Sequence, residues 1–261
     1  MTPADAIEAL VAGSDPIGLD EVVARSSLMT RTDRKYVVEP ADIAALLCEL
    51  GPATRVLEIE GRRGFGYESI YFDTPEFDSY LGAARRRPDR FKVRTRRYVD
   101  HDTCWVEAKT RTRRGQNQKV RQPHDPDDAA RLTPTAIDFV GAAVGRAVAE
   151  RLEPVVRTSY RRTTIVVGAQ RVTIDAGLRC DDLVDSAFGL GDRLVIETKS
   201  PGGPGVVDHA LWRLGRRPTR ISKFALGAAM AHPVLPRNKW HRVLDRYVAP
   251  VEHTVTSRRS A

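Results

Sequence analysis

This sequence is poor in groups that react on their own. Its three cysteines, Cys48, Cys104 and Cys180, are too few for a disulfide framework and too far apart for a paired-cysteine metal site, which points to a reducing compartment. The six histidines are scattered. There is no Gly-x-Ser-x-Gly elbow, no His-Glu-x-x-His pair and no Gly-x-x-x-x-Gly-Lys-Ser/Thr phosphate loop, and the Gly202–Gly205 loop lacks the lysine such a loop requires. These absences argue against nucleophilic catalysis, zinc hydrolysis and P-loop chemistry. No apolar stretch approaches the ~20 residues that span a bilayer. Residues 1–20 carry Asp5, Glu8, Asp15 and Asp20 with no basic start, unlike a secretory leader. The expectation is a cytoplasmic protein with no transmembrane segment. Aromatic residues are only 7%, and most are placed to pack, so nucleic acid is not the expected partner.

What the chain has in excess is positive charge. Lysine and arginine number 42 against 34 acids, a net charge of +8, and the excess is mostly arginine, whose planar fork matches phosphate oxygens. A polyanionic or phosphate-rich partner follows. The 261 residues can bury a sizeable core as one large domain or two small ones.

The segment Arg90-Phe91-Lys92-Val93-Arg94-Thr95-Arg96-Arg97-Tyr98 has strand composition, and a strand sends alternate side chains to opposite faces. Arg90, Lys92, Arg94 and Arg96 then share one face, while Phe91, Val93 and Thr95 take the other. A solvated strand face is the plain alternative for a single such strand. The pattern recurs, however. Arg31, Asp33 and Lys35 share a face on a strand ending at Val38; Trp105, Glu107 and Lys109 on the next; Lys119 and Arg121 on another. Thr158, Tyr160, Arg162 and Thr164 align on a strand over Val155–Val167, and Arg171, Thr173 and Asp175 on its hairpin partner. Glu197 and Lys199 share a face on Leu194–Lys199.

Between these strands the periodicity predicts helices at Pro3–Val11, Leu19–Ala24, Pro40–Leu50, Pro126–Leu132, Pro134–Arg151, Val206–Leu214 and Ser222–Met230, with one more from Arg237. Arg55–Glu60 and Phe65–Phe72 read as strands joined by a turn at Gly61–Gly64, and a polar loop is expected after Asp175. The expected organisation is an N-terminal helical segment over 1–28, a main domain over 29–232, and a C-terminal extension over 233–261 whose end, Thr254–Ala261, is polar and disordered. Eight or nine strands, each with an apolar and a charged face, can form an open sheet with its charges solvated. If the sheet closes, it encloses an interior rich in arginine and lysine that must be paired with ions or ligand.

Several motifs, in order, resemble the VTC domain: Arg31-x-Asp33-x-Lys35-Tyr36, Tyr71-Phe72-Asp73-Thr74-Pro75, Lys92-x-Arg94-x-Arg96-x-Tyr98, Glu107-x-Lys109, Tyr160-x-Arg162, Arg171-x-Thr173-x-Asp175, Glu197-x-Lys199 and Ser222-Lys223. This is the polyphosphate polymerase domain of the vacuolar transporter chaperone family, within the triphosphate tunnel metalloenzymes. The resemblance implies an α+β fold, an antiparallel β-barrel or tunnel of about eight strands with flanking helices. It implies transfer of the γ-phosphate of ATP onto a polyphosphate chain, with Mn²⁺ or Mg²⁺. By motif position it makes Lys35, Arg94, Arg96, Lys109, Arg162, Arg171, Lys199 and Lys223 the catalytic phosphate-binding set. Lys92, Tyr160 and Ser222 become further substrate contacts, with Lys119, Arg121 and Arg220 as looser ones, and Glu197 becomes the metal ligand. Eukaryotic relatives place an SPX domain before this domain and a membrane segment after it, neither of which is expected here, and the position two after Lys109, a histidine in some of them, is Arg111.

Two other readings stay open at this point. One is a triphosphate hydrolase or cyclase of the CYTH type, although those proteins open on a Glu-x-Glu-x-Lys strand where this chain has Arg31, Asp33 and Lys35. The other is a non-catalytic polyphosphate binder. For Asp33, Glu107 and Asp175, pairing with interior cations is as good an expectation as metal ligation. Tyr71, Phe72 and Trp105 are expected as core or wall, and Glu68 as a structural salt bridge.

Overall fold

The computed structural model describes residues 1–27, 31–112 and 115–251. The strands are β1 (Asp15–Ile17), β2 (Arg31–Val38), β3 (Thr54–Leu57), β4 (Gly64–Asp73), β5 (Arg90–Tyr98) and β6 (Thr103–Arg111). They continue as β7 (Asn117–His124), β8 (Glu153–Val167), β9 (Gln170–Asp181), β10 (Ala187–Gly189), β11 (Leu194–Pro201) and β12 (Ala249–Pro250). The helices are α1 (Pro3–Leu10), α2 (Leu19–Ser27), α3 (Pro40–Leu50), α4 (Asp78–Ala84), α5 (Pro134–Val144), α6 (Arg146–Ala149), α7 (Val206–Arg213), α8 (Lys223–Ala231) and α9 (His241–Tyr247). The expected boundary near residue 28 and the polar tail Thr254–Ala261 fall outside the described residues.

Eight strands run in the order β2-β11-β9-β8-β4-β5-β6-β7, each antiparallel to its neighbours. The sheet curls into a half-barrel whose two edges, β2 and β7, do not pair with each other among the described residues. This is the expected antiparallel tunnel architecture with flanking helices. Its curl is helped where β8 and β9 slip register between Ser159 and Arg161, opposite Gly177, whose φ of +63° suits glycine.

The convex face is apolar and covered. Tyr36, Val38, Ile165, Val172, Ile174, Leu194 and Ile196 pack with α1, α3 and α7, while Ile70, Phe72, Val93, Val106 and Ala108 pack with α5 and α6. The concave face is divided. Val37, Val156, Leu178, Cys180 and Val195 make an apolar end that α8 fills with Phe224, Ala225, Leu226 and Ala228. Helix α8 lies so close to β8 that a Cβ on Gly227 would stand 2.5 Å from Val156 Cγ2. The rest of the concave face is charged.

Several expectations change. The segment Thr54–Leu57 does not form a hairpin with β4; it pairs with β8 and, in parallel, with β1, a strand that the Gly13–Pro16 breaker signal hid. The helix expected over Pro134–Arg151 breaks at Gly145, at φ +95°, into α5 and α6. Pro126–Leu132 supplies only a short 3-10 turn at Pro126–Asp128. The loop expected after Asp175 is the second half of β9, followed by β10. Glu68 does make its salt bridge, 3.4 Å from Arg157. Among the described residues no helix is long and apolar enough to cross a membrane.

Helix α7 is tied to the sheet through one fully buried carboxylate. Asp208 accepts hydrogen bonds from Tyr36 Oη and Thr198 Oγ1 at 2.7 Å, from Gly205 N at 2.9 Å and from Gln170 Nε2 at 3.1 Å. Its ion partner, Arg34, is 3.7 Å away. Replacing it strands three buried donors and a cation at once. Asp208→Ala is expected to lower the unfolding free energy by roughly 3 kcal/mol or more, which urea titration followed by circular dichroism measures; a loss below about 1 kcal/mol would show that the network is dispensable.

Candidate functional site

The charged part of the concave face encloses a cavity of about 420 Å³ to which all eight strands of the curl contribute. Among the described residues ten basic side chains line it: Lys35, Lys92, Arg94, Arg96, Lys109, Lys119, Arg162, Arg171, Lys199 and Lys223. Three carboxylates, Asp33, Glu107 and Glu197, share the lining with Tyr71, Tyr160, Ile221 and Ser222. Counting also Asp175, which pairs with Arg162 and Lys223 from behind the lining, six cations remain in surplus, so an anion is the natural occupant.

Register explains how so many like charges coexist. Arg94 faces Glu107 across β5 and β6, Arg162 faces Asp175 across β8 and β9, and Glu197 faces Lys35 across β11 and β2. Each of these carboxylates then takes a second cation. Glu107 accepts from Arg94 Nε at 2.7 Å and from Lys119 Nζ at 2.7 Å. Asp175 accepts from Arg162 Nε at 2.6 Å and from Lys223 Nζ at 2.5 Å. Glu197 lies 3.0 Å from Lys35 Nζ and is also bonded by Lys199, which reaches Asp33 at 3.6 Å. The pairing fixes ionisation. Burial raises the Glu107 carboxyl, but Arg94, Arg96 and Lys119 bring it down to about 2, and Arg162 and Lys223 hold Asp175 lower still.

The four carboxylates differ in access. The side chains of Asp175 and Glu107 are 1% and 3% exposed, sealed behind their arginines, whereas Glu197 and Asp33 are 15% and 34% exposed. Glu107 and Asp175 therefore act as counter-ions that hold the arginines in place.

Hydroxyls also hold Lys92, Arg94 and Arg96. Lys92 Nζ donates to Ser222 Oγ at 3.1 Å, and Ser222 also caps α8 by accepting from Ala225 N. Arg94 Nη1 donates to Tyr71 Oη at 3.0 Å, and Arg96 Nη2 to Tyr160 Oη at 3.3 Å. Tyr67 and Tyr160 stack at 5.4 Å, and the Arg96 and Arg162 guanidiniums lie over the Tyr67 ring. Burial lowers Lys35 and Lys92 to about 8. Burial raises the Tyr71 phenol, yet Arg94, Lys92 and Arg96 outweigh it and bring the group to about 8.

Thirteen of the residues picked from the sequence therefore meet in one place, and two do not. Arg121 stands on the same face of β7 as Lys119, but its guanidinium stacks 4.5 Å from the Trp105 ring, away from the cavity. Arg220 precedes α8 on a separate recess lined by Arg86, Arg90, Arg111 and Lys239. Tyr71 lines the cavity as wall and also bonds a site arginine, a contact that only the β4–β5 register reveals.

Two consequences can be measured. Arg94→Ala should weaken tripolyphosphate binding by roughly 1.5–3 kcal/mol. Arg97→Ala, on the other face of β5 and bonded to Asp102 at 2.9 Å, should bind normally; equal losses would place the site elsewhere. The second consequence concerns pH. A bound polyanion raises the pKa of Lys35 and Lys92 above about 8, so the complex holds more protons than the free protein just above that pH. Affinity should then fall as pH rises through 8 and beyond, with proton uptake on binding, read by calorimetry in buffers of different ionisation enthalpy. Binding that strengthens over this range would contradict the assignment.

The family model of the VTC domain matches residues 30–232. No curated protein sequence matches the chain. Among solved structures, a candidate adenylyl cyclase from Hippeastrum, described with a dominant triphosphatase activity, is similar at 16% identity and a TM-score of 0.49, over 76% of this chain and 95% of that one. A candidate adenylate cyclase from Vibrio parahaemolyticus is similar at 11% identity and a TM-score of 0.45, over 74% and 94% of the two chains. A protein from Pyrococcus horikoshii is similar at 14% identity and a TM-score of 0.47, over 78% and 99%. The family match begins just before β2 and ends just after α8, so it takes in every strand and helix that supplies the cavity; this chain belongs to the VTC domain family.

Proposed function

We propose that this protein is a cytoplasmic polyphosphate polymerase that moves the γ-phosphate of ATP onto the end of a polyphosphate chain in the cationic cavity. The attacking atom is a terminal phosphate oxygen of the chain. A new P–O bond forms to the γ-phosphorus as its bond to the β-phosphate oxygen breaks, and ADP leaves with the electron pair. The nucleophile is already anionic, so no protein base is required, and positioning with charge neutralisation carries the catalysis. Lys35, Arg94, Arg96, Lys109, Arg162, Arg171, Lys199 and Lys223 bind and align the phosphates, with Lys92, Lys119, Tyr160 and Ser222 as further contacts.

The observation that carries this reading over hydrolysis is the state of the carboxylates. A hydrolase needs a base or positioned acceptor for its water. Here Glu107, Asp175 and Glu197 are each bracketed by two cations, and Asp33 contacts Lys199. A phosphate acceptor needs no such base.

The donor set also bears on Mn²⁺ or Mg²⁺. Among the described residues no three His, Cys, Asp or Glu side chains converge, so the site does not fit an all-protein metal cage. It does fit a divalent ion that arrives on the triphosphate, because such an ion needs only one or two carboxylates beside phosphate oxygens and water. Glu197, the more open of the braced acids, would hold it, with Asp33 next to it across Lys199. Held there by Glu197 and Asp33, such an ion would supply positive charge that offsets the charge developing during phosphoryl transfer.

The test is purified protein with ATP and Mn²⁺, resolved on a gel that separates polyphosphate from orthophosphate. Chain growth supports the proposal, phosphate release alone would mean a triphosphatase, and retention without turnover would mean a binding protein. In the same assay Glu197→Gln should abolish most turnover while tripolyphosphate still binds, with only partial rescue by excess Mn²⁺. Near-normal turnover would remove Glu197 from the metal site.

A further inference from the structure

Beyond the cavity, the cationic rows of β5 and β6 continue outward. Lys92 and Lys109 are cross-strand partners on the cavity wall, and Arg90 and Arg111 form the next rung on the same face, about 7 Å further along. That rung opens on a recess of about 480 Å³ lined by Arg86, Arg90, Arg111, Arg220 and Lys239. A second recess of about 470 Å³ shares Arg86, Arg220 and Lys239 and adds Arg242 and Arg246. No carboxylate lines either recess among the described residues. The crowding shows in Lys239, which burial and then Arg90, Arg86 and Arg220 push below the usual lysine range.

Three of these side chains, Lys239, Arg242 and Arg246, lie beyond residue 232, where the family match ends. They are nonetheless held firmly. Trp240 is buried against Tyr80 at 5.4 Å, Tyr80 Oη donates to Pro236 O at 3.0 Å, and Lys239 Nζ donates to Ala83 O at 2.6 Å. The end of α4 carries a second sign of purpose. Arg87 N bonds Gly82 O and Arg86 N bonds Ala83 O, closing a Schellman motif, and the residue in its left-handed position is Arg86 at φ +55°. Glycine is the favoured residue there, so the fold accepts backbone strain to hold an arginine where both recesses meet.

We propose that these two recesses form a second polyanion site, specific to this chain's C-terminal segment, that holds the stretch of polyphosphate lying outside the cavity. The inference rests on the polymerase reading for the identity of its ligand. Continuity of the arginine and lysine rungs favours one extended anion running from cavity to recess. Single-stranded RNA fits less well, because it needs open aromatic faces for stacking. Trp240 is buried, and the Tyr247 ring is flanked by Arg193 and Arg246.

The test is equilibrium binding of tripolyphosphate, long-chain polyphosphate and a single-stranded RNA oligonucleotide to the full chain and to the double variant Arg86→Gly, Arg242→Ala. The double variant should bind long-chain polyphosphate about tenfold more weakly at low salt. Its salt dependence should be shallower by about two, one for each cation removed, by analogy with counterion release on nucleic acids. Tripolyphosphate affinity should be unchanged, and Arg86→Gly alone should melt no lower than the parent protein, since it relieves the left-handed position. Unaltered long-chain affinity in the double variant overturns the proposal, as does RNA that binds as tightly as polyphosphate and is weakened equally. The polymerase reading fails separately, by absence of tripolyphosphate binding in the parent protein, and a long-chain affinity that still depends on Arg86 and Arg242 would then leave the second site standing.

Discussion

Like-charge repulsion inside the curl is the constraint on which the rest of this structure depends. Ten cations around about 420 Å³ cannot be held by packing alone. The chain meets the difficulty by setting an acid opposite a base across strand pairs and then giving each acid a second cation. Lys119 comes from the edge strand β7, Lys199 from two places along β11, and Lys223 from the start of α8. Asp175 and Glu197 thus join elements distant in sequence. Four acids, Asp33, Glu107, Asp175 and Glu197, neutralise part of the field, and the positive charge left over suits an anionic ligand.

That division of labour explains which features were legible in the sequence. Alternation placed Lys92, Arg94 and Arg96 on one face of β5 because a two-residue period is a property of the strand itself. The same rule placed Lys35, Glu197 and Lys199 correctly, and the motif order linked them to one family. Register is different, since it belongs to pairs of strands. Nothing in the local pattern says that Glu107 takes Lys119 while Arg121, its direct cross-strand neighbour, turns to Trp105. The second half of β9 was hidden for a related reason. Gly177 shifts the alternation, so Leu178 and Cys180 point inward on a parity that a strict period assigns outward. At Gly145 the apolar content of a long helix masked a break that only backbone geometry exposes.

The cavity is also a store of loosely held protons. Lys35, Lys92 and the Tyr71 phenol all come to about 8 by different routes, burial for the lysines and neighbouring cations for the tyrosine. Arginine supplies the fixed part of the field, because its charge does not yield to burial. Lysine and tyrosine supply an adjustable part, able to gain or give up protons as anionic charge arrives or departs. The total charge of the cavity can in this way follow that of an anionic occupant.

The position of Lys223 shows how far the site's geometry reaches into apolar packing. Lys223 and Ser222 stand at the start of α8, and where that helix sits decides whether they meet Asp175 and Lys92. Helix α8 is set on β8 by Gly227, which alone allows so close an approach to Val156. Its outer side is closed by Trp240, Val243 and Leu244, which share one buried cluster with Phe224, Leu226 and Ala228. The two hydrophilic contacts therefore inherit their precision from hydrophobic contacts made by a segment beyond residue 232. A change that loosens α9 would shift α8 as a body and withdraw one cation from Asp175. Asp175 would then keep Arg162 as its single partner, and the start of α8 would no longer be tied to the charged face. The C-terminal segment is in this sense part of the site, although none of its described residues lines the cavity.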